Sequence, residues 1–363
     1  MSRKHFTPLA RPQAFFTTDE SAQYFECGYS CDHAILLVLD ARKIFFTDAR
    51  YTTEARENLA SGVEVVESAN LLDSMIELLQ KERVKSLAFD PLQVCVQEYQ
   101  TLLAKLPQHL EPLPNFHQQL RIIKSDEQVA LIAKSQKLNK KAYKRFAKMI
   151  EKLAEKGAKG GAKGGNPTEL YLHALARQAL EQDGSYTLSF SPILSLNANA
   201  AKPHALPCND RLRDGDLLLF DAGIKYKRYC SDRTRTAVFS QGRIHFGKKQ
   251  KFSDKKLQHI YDIVRKAQES AITNLRAGMS GKQIDALARE VIDKAGYGEY
   301  FSHSTGHGIG LDIHELPSIS KRSEMIIEDG MVFSIEPGIY LPNLYGVRIE
   351  DLVVVRNGRA EVL

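Results

Sequence analysis

Leu217 to Phe239 reads LLLFDAGIKYKRYCSDRTRTAVF. Four apolar residues run into Asp221, Gly223 follows closely, and from Tyr229 the chain alternates with period two. That period places Asp232, Thr234, Thr236 and Val238 on one face of a second strand. A hairpin turning at Lys225–Lys227 would bring Asp221 and Asp232 near each other across the ladder. Ionised carboxylates are almost never left in such apolar text unless something pairs with them.

Three more residues downstream have the same character. His307 is framed by Gly306, Gly308 and Gly310, which would let backbone and a metal approach closely. Glu336 ends the strand-like run Met331–Ile335 and precedes Pro337-Gly338, a turn signal that fixes its direction. Glu350 alternates with Arg348 in Gly346–Val355, so the two are expected to share a face. Four carboxylates this close would raise one another's pKa values. Two divalent cations would cancel them, and one neutral imidazole completes the signature of a dinuclear hydrolytic metal site.

The rest of the chain frames this core. With 363 residues it has room for two domains. In the first hundred residues, Ala34–Leu39 and Lys43–Thr47 read as paired strands around an Asp40–Lys43 turn. Leu71–Leu79 has helical spacing and Ser86–Asp90 is strand again, which makes a small α/β domain. From Ser125 to about Lys156 the text is helical, with Val129, Ile132, Ala133 and Leu138 on the apolar face. It runs into Gly157–Gly165, a low-complexity spacer read as a flexible surface loop. Pro167 opens a helix to about Glu181, and Leu188–Leu196 is strand-like. Two helices follow the hairpin, the second starting at Ser280 with a capping box closed by Gln283 and stopping at Gly296. The second half is therefore α+β, built mainly on antiparallel strands.

Other function classes find little support. The net charge of +6 is mild, and the Lys-rich stretches Lys137–Lys163 and Lys248–Lys256 read as solvated faces, so no nucleic-acid partner is expected. Gly242–Lys248 (GRIHFGK) lacks a P-loop's Ser or Thr because Lys249 stands there, leaving a basic turn. Five cysteines without a C-x-x-C pair read as free thiols in a reducing cytoplasm. No apolar run reaches membrane-spanning length and no signal peptide follows Met1.

Six motifs in order carry a resemblance: Asp221-Ala-Gly, Tyr229-Cys-Ser-Asp232-Arg-Thr-Arg-Thr, His303-Ser-Thr-Gly-His307-Gly-Ile-Gly, His314-Glu-Leu-Pro, Glu336-Pro-Gly and Gly346-Val-Arg-Ile-Glu350-Asp. Together they resemble the pita-bread metallopeptidases, and within them the aminopeptidase P and prolidase branch. Thr47-Asp-Ala-Arg-Tyr51 and Arg121-Ile-Ile-Lys-Ser125 resemble that branch's extra domain and junction. The resemblance implies a catalytic domain at 125–363, a curved antiparallel sheet flanked by helices, behind a smaller α/β domain at 1–124. It implies metal ligands Asp221 and Asp232 on one half of the site and His307, Glu336 and Glu350 on the other, with Asp232 and Glu350 bridging. Oxygen-rich ligation favours Mn²⁺, with Co²⁺ or Zn²⁺ as alternatives. Glu336 is the implied proton shuttle. His204 and His314 match the substrate histidines, with His314 polarising the carbonyl. His303 and Arg348 match groups that distinguish the proline branch from methionine aminopeptidases, and both are read as substrate-binding.

The implied reaction is hydrolysis of the Xaa-Pro bond at the N-terminus of short proline-containing peptides. That bond is a tertiary amide with no N–H for an ordinary peptidase to read. An Xaa-Pro dipeptidase is the alternative. A methionine aminopeptidase is disfavoured by His303 and Arg348, and a non-enzymatic peptide-binding module by the complete ligand set. Ser318 stands where some dipeptidases place an Arg for the terminal carboxylate, so Lys321 or Arg322 would have to replace it. Asn197 and Arg228 stand at positions where Gly is common. A cytoplasmic homodimer is the further expectation.

Overall fold

The computed structural model describes residues 10–158 and 166–363. The chain divides into two compact units between Arg121 and Ile122. The first is built on strands β1 (Ala14–Thr17), β2 (Ala34–Leu39), β3 (Arg42–Thr47), β4 (Val63–Glu67), β5 (Ser86–Phe89) and β6 (His109–Pro112). They form one mixed sheet in the order β4-β3-β2-β1-β5-β6. Helices α1 (Glu20–Cys27), α2 (Thr52–Asn58), α3 (Leu71–Leu79), α4 (Val96–Lys105) and α5 (Phe116–Arg121) connect and follow them. The central strands β1, β2 and β5 are apolar on both sides because both faces are packed, whereas the edge strands β4 and β6 carry exposed polar residues. Ile35 and Leu37 join one buried cluster, and Leu36 and Val38 join another.

The second unit begins with α6 (Asp126–Ala158) and α7 (Glu169–Glu181). Short strands follow: β7 (Thr187–Leu188), β8 (Ile193–Leu196), β9 (Leu217–Asp221), β10 (Ile224–Tyr226), β11 (Tyr229–Cys230) and β12 (Thr234–Val238). After α8 (Lys255–Asn274) and α9 (Gly281–Lys294) come β13 (Gly306–Gly308), β14 (Glu315–Ile319), β15 (Val332–Ile335), β16 (Gly338–Leu341), β17 (Tyr345–Arg348), β18 (Asp351–Arg356) and β19 (Arg359–Val362). The strand pairings of this unit are antiparallel. Helices cover two sides of the sheets. Leu218 and Phe220 of β9 pack with Tyr143 and Phe146 of α6, while Leu217 and Leu219 join the cluster that holds Val264 of α8 and Ile284 of α9.

Several expected elements are shorter or displaced. Leu188–Leu196 is two strands in different sheets, parted at Pro192, which has no N–H to give a ladder. Tyr229–Phe239 breaks after Cys230 and resumes at Thr234 in another sheet, so Asp232 lies in the break and not on a continuous face. Gly346–Val355 likewise divides at Ile349–Glu350, and Arg348 and Glu350 do not share a strand. The hairpin turns at Lys227–Arg228 and not at Lys225–Lys227. Pro337-Gly338 is no reversal by itself, since Gly338 already opens β16. Helix α7 starts at Glu169, capped by Thr168, two residues after Pro167. Gly157 and Ala158 extend α6, and the remainder of the Gly157–Gly165 spacer lies outside the described residues.

Candidate metal centre and substrate cavity

Three of the four candidate carboxylates sit where strands break. Asp232 precedes β12, Glu336 lies between β15 and β16, and Glu350 lies between β17 and β18. Asp221 ends β9, paired with Thr234 on one side and Ile193 on the other. A break frees a side chain from the strict alternation of a strand, but it strands backbone groups that need partners. Helix α6 supplies them. Gln136 donates to the Asp232 carbonyl at 2.6 Å, Asn139 to Ala222 at 2.7 Å and Ser135 to Ile224 at 2.9 Å. The Tyr143 hydroxyl bonds the Arg233 carbonyl, Glu350 N–H donates to Thr234 at 3.2 Å, and Glu336 N–H donates to Thr305 at 2.8 Å.

Sequence reading missed these helix residues. It placed Ala133 and Leu138 on the buried face, but both are only partly buried, whereas Ser135, Gln136 and Asn139 are buried. The available signal was a polar stripe at helical spacing inside an otherwise apolar face. The glycines around His307 also have a different reason from metal approach. A Cβ on Gly306 would stand 1.8 Å from the Ser334 carbonyl, so that glycine lets β13 lie against β15.

Asp232, His307 and Glu350 each offer a ligand atom within 4.8 Å of the others. His307 Nε2 is 3.6 Å from Asp232 Oδ2 and 3.3 Å from Glu336 Oε1. Its Nδ1 lies 3.0 Å from the Gly308 carbonyl, which fixes the proton there and leaves the Nε2 lone pair facing the acids. Asp221 joins the group through Arg348, whose Nη2 donates to Asp221 Oδ2 at 2.6 Å. Among the described residues, Asp221 Oδ1, Asp232 Oδ1 and Glu350 Oε1 are buried and meet no donor. Burial first, and neighbouring acids second, hold Asp232 and Glu350 far above the ordinary carboxylate range. Burial likewise raises Glu336, to about 7, against the opposing pull of Arg348. Orphaned, buried, mutually repelling oxygens beside an imidazole lone pair fit divalent cations, which remove all three penalties at once.

A cavity of about 510 Å³ opens beside the cluster, lined among others by Asp221, Asp232, His307, Glu336, His204 and His314. Glu350 is not among the lining residues. His204 and His314 are both exposed, and the His314 ring meets His307 edge-on at 4.3 Å. Partial desolvation at the cavity wall, aided by neighbouring His307, lowers the His314 pKa. His303 and Arg348 also line the cavity, yet their polar atoms are committed to protein partners. His303 Nδ1 lies 2.8 Å from the Ser304 carbonyl and Nε2 lies 2.8 Å from the Tyr340 hydroxyl; burial beside Arg348 lowers its pKa to about 3. Arg348 donates to Asp221, Tyr340, Thr234 and the Pro203 carbonyl. Ser318 faces His307 across the β13–β14 ladder, and neither it nor the exposed Lys321 and Arg322 lines the cavity.

A helix-flanked antiparallel unit carrying a carboxylate–imidazole cluster beside a peptide-sized cavity defines a metal-dependent hydrolase. Residues 130–357 match the model of metallopeptidase family M24, and residues 10–123 match the creatinase/prolidase N-terminal domain. The chain belongs to metallopeptidase family M24, with the pita-bread fold of its prolidase and aminopeptidase P members. It is 31% identical to the uncharacterised peptidase YqhT of Bacillus subtilis, over 99% of this chain and 96% of that one. Among solved structures, an Xaa-Pro dipeptidase from Bacillus anthracis superposes with a TM-score of 0.84 at 30% identity, covering 96% of this chain and 92% of that one. An X-Pro aminopeptidase from Thermotoga maritima gives 0.82 at 26% identity, covering 96% and 94%. A prolidase from Pyrococcus furiosus gives 0.79 at 29%, covering 96% and 95%.

Proposed function

We propose that this metallopeptidase releases the first residue from peptides with proline at position two, as an aminopeptidase P-like enzyme holding two divalent cations. Asp221, Asp232, His307, Glu336 and Glu350 would hold the pair. The observation that carries this reading is the set of buried acceptor atoms on Asp221, Asp232 and Glu350 that meet no donor among the described residues. When bound, the pair supplies Lewis acidity that makes a hydroxide nucleophile near neutral pH. Mn²⁺ is the ion this oxygen-rich set favours.

The chain's own groups supply the rest. Glu336, which lines the cavity with Oε1 3.3 Å from His307 Nε2, can take a proton and return it to the leaving nitrogen within one turnover. His314 and His204 face the cavity and can donate to the scissile carbonyl without needing an N–H on the substrate. Arg348 holds the carbonyl of Pro203, next to His204, and the carboxylate of Asp221, so it ties the substrate wall to the metal wall. His303 supports it through Tyr340. Residues 1–124 are assigned as the N-terminal domain and 125–363 as the catalytic domain of a cytoplasmic homodimer acting on short peptides. No described helix is long and apolar enough to cross a membrane.

The test is alanine release from Ala-Pro-Ala and Ala-Pro by protein stripped with a chelator and then reloaded with Mn²⁺. Activity on Ala-Pro-Ala that vanishes on stripping and returns on reloading is expected. Full activity in the stripped protein would overturn the metal role, and cleavage confined to Ala-Pro would make the enzyme a prolidase.

A further inference from the structure

The cavity is not lined by catalytic groups alone. Phe190, Ile193, Leu206 and Pro207 give it an apolar part, and Leu206 is 83% exposed. The backbone carrying Leu206 is tightly held. Asn199 donates to the Leu206 carbonyl at 3.0 Å and to the buried Glu169 carboxylate at 2.7 Å. The same carboxylate accepts from Cys208 N–H at 2.8 Å, and Leu170 N–H donates to the Cys208 carbonyl at 3.2 Å. Leu170 is 48% exposed and precedes cavity-lining His173 by one helical turn on the same face of α7. A single exposed leucine needs no explanation. Leu206 and Pro207 line the cavity, and Leu170, not itself a lining residue, adjoins them through its bond to Cys208 and its place one turn before His173, so that the three make a firmly held apolar rim.

Chemistry sets what crosses that rim. An enzyme that removes one residue from an amino end closes its site around that end, so the residues after proline must leave by the mouth. Among the described lining residues Arg348 is the one Lys or Arg, and four of its five N–H groups are given to Asp221, Tyr340, Thr234 and Pro203. Along the described lining a dipeptide's terminal carboxylate therefore meets only a guanidinium already ion-paired with Asp221, whereas a longer peptide carries its carboxylate out to water.

We propose that Leu206, Leu170 and Pro207 form a subsite for an apolar side chain following the proline. The preferred substrates are then peptides of three or more residues with an aliphatic or aromatic residue after Xaa-Pro. This rests on the Xaa-Pro peptidase reading and names the substrate class of the same site.

The experiment compares Ala-Pro-Leu-Ala with Ala-Pro-Ser-Ala on full-length protein loaded with Mn²⁺, following alanine release. The leucine peptide should be favoured by about five- to tenfold in kcat/KM, with the difference in KM, as contact with one partly exposed apolar patch gives. Leu206→Ser combined with Leu170→Ser should bring the ratio close to one. Both side chains are exposed, so the core is untouched, and circular dichroism and melting temperature check this. Equal KM values in the unaltered protein, or an unchanged ratio in the double variant, overturn the subsite. A changed mass by light scattering with an unchanged ratio also overturns it and assigns the rim to contact between copies. If neither peptide nor Ala-Pro is cleaved by the loaded protein, the Xaa-Pro reading itself fails and the subsite with it.

Discussion

Glu350 and Asp351 are adjacent in the chain, nearly completely buried, and electrostatic opposites. Asp351 accepts from Arg235 at 2.5 Å and from Gln268 at 3.2 Å, with Lys248 at 3.3 Å and Arg233 at 3.7 Å. Burial pushes its pKa up, but those cations win and hold it below the usual range. Glu350 has Glu336 and Asp221 for neighbours, and burial and both acids push it the other way. Only Thr234, at 2.8 Å, donates to its side chain among the described residues. Burial alone does not distinguish a structural charge from a functional one. The sign of what surrounds the charge does, and the strand break at Glu350 places two successive acids in two different environments.

The largest expected effect lies on the uncompensated side. Asp232→Asn removes one of the carboxylates proposed to hold metal and should lower turnover by at least about a thousandfold, with loss of bound metal. Elemental analysis and alanine release on one preparation check this. Retention of bound metal with a normal rate would remove Asp232 from the proposed ligand set.

Stability should separate the two acids by sign. Asp351→Asn strips Arg235 and Lys248 of their counter-charge and should cost about 3–5 kcal/mol, as breaking a buried pair does. Glu350→Gln relieves repulsion, so in the presence of a chelator it should raise stability while abolishing metal binding. Urea unfolding of both variants with and without Mn²⁺ makes the comparison. If the two substitutions shift the midpoint in the same direction, the contrast is wrong.

A third kind of buried group sharpens it. His117, in the N-terminal unit, is buried against Phe15 and Phe116, and burial, aided by Arg121 and Arg11, lowers its pKa to about 3. The unfolded chain, with the ordinary value of 6.5, binds the proton first. Stability is therefore full above that value and is lost as pH falls from 6.5 towards 3. The loss should reach about 2–3 kcal/mol by pH 4.5. His117→Phe should flatten that slope in unfolding experiments between pH 7 and 4.5, and an unchanged slope would show that other groups dominate.

What the sequence revealed follows the same physics. The strands of the N-terminal sheet were legible because both faces pack apolar side chains, so Ala34–Leu39 keeps one conformation from end to end. The capping box at Ser280 was legible because its two bonds are local. The acids themselves were legible as charges out of place. Their strands were not, because the breaks at Asp232 and Glu350 are imposed from elsewhere, by Gln136 and Asn139 of α6 and by Arg235, which donates to the Glu350 carbonyl. The four bonds of Arg348 were not legible either, because they join residues far apart in the chain, from Pro203 to Tyr340.

The smallest expected effect concerns two positions at which the chain departs from the glycine common in the family it resembles. Arg228 has φ +71 and Asn197 has φ +40, both left-handed. Lys227 and Arg228 form the two-residue loop of the β10–β11 hairpin, where glycine is preferred at the second place. Arg228→Gly should therefore raise stability by about 0.5–1 kcal/mol, less whatever its side-chain contacts contribute. Asn197 differs because its side chain is in use: Oδ1 accepts from Leu217 N–H at 2.9 Å and Nδ2 donates to Asp216 at 2.8 Å. Asn197→Gly should cost about 1 kcal/mol, since it leaves the N–H that opens β9 without a partner. Opposite shifts in melting temperature are the expected result. Equal shifts would mean that backbone strain, and not the bonds that start the ligand-bearing strand, decides which residue belongs there.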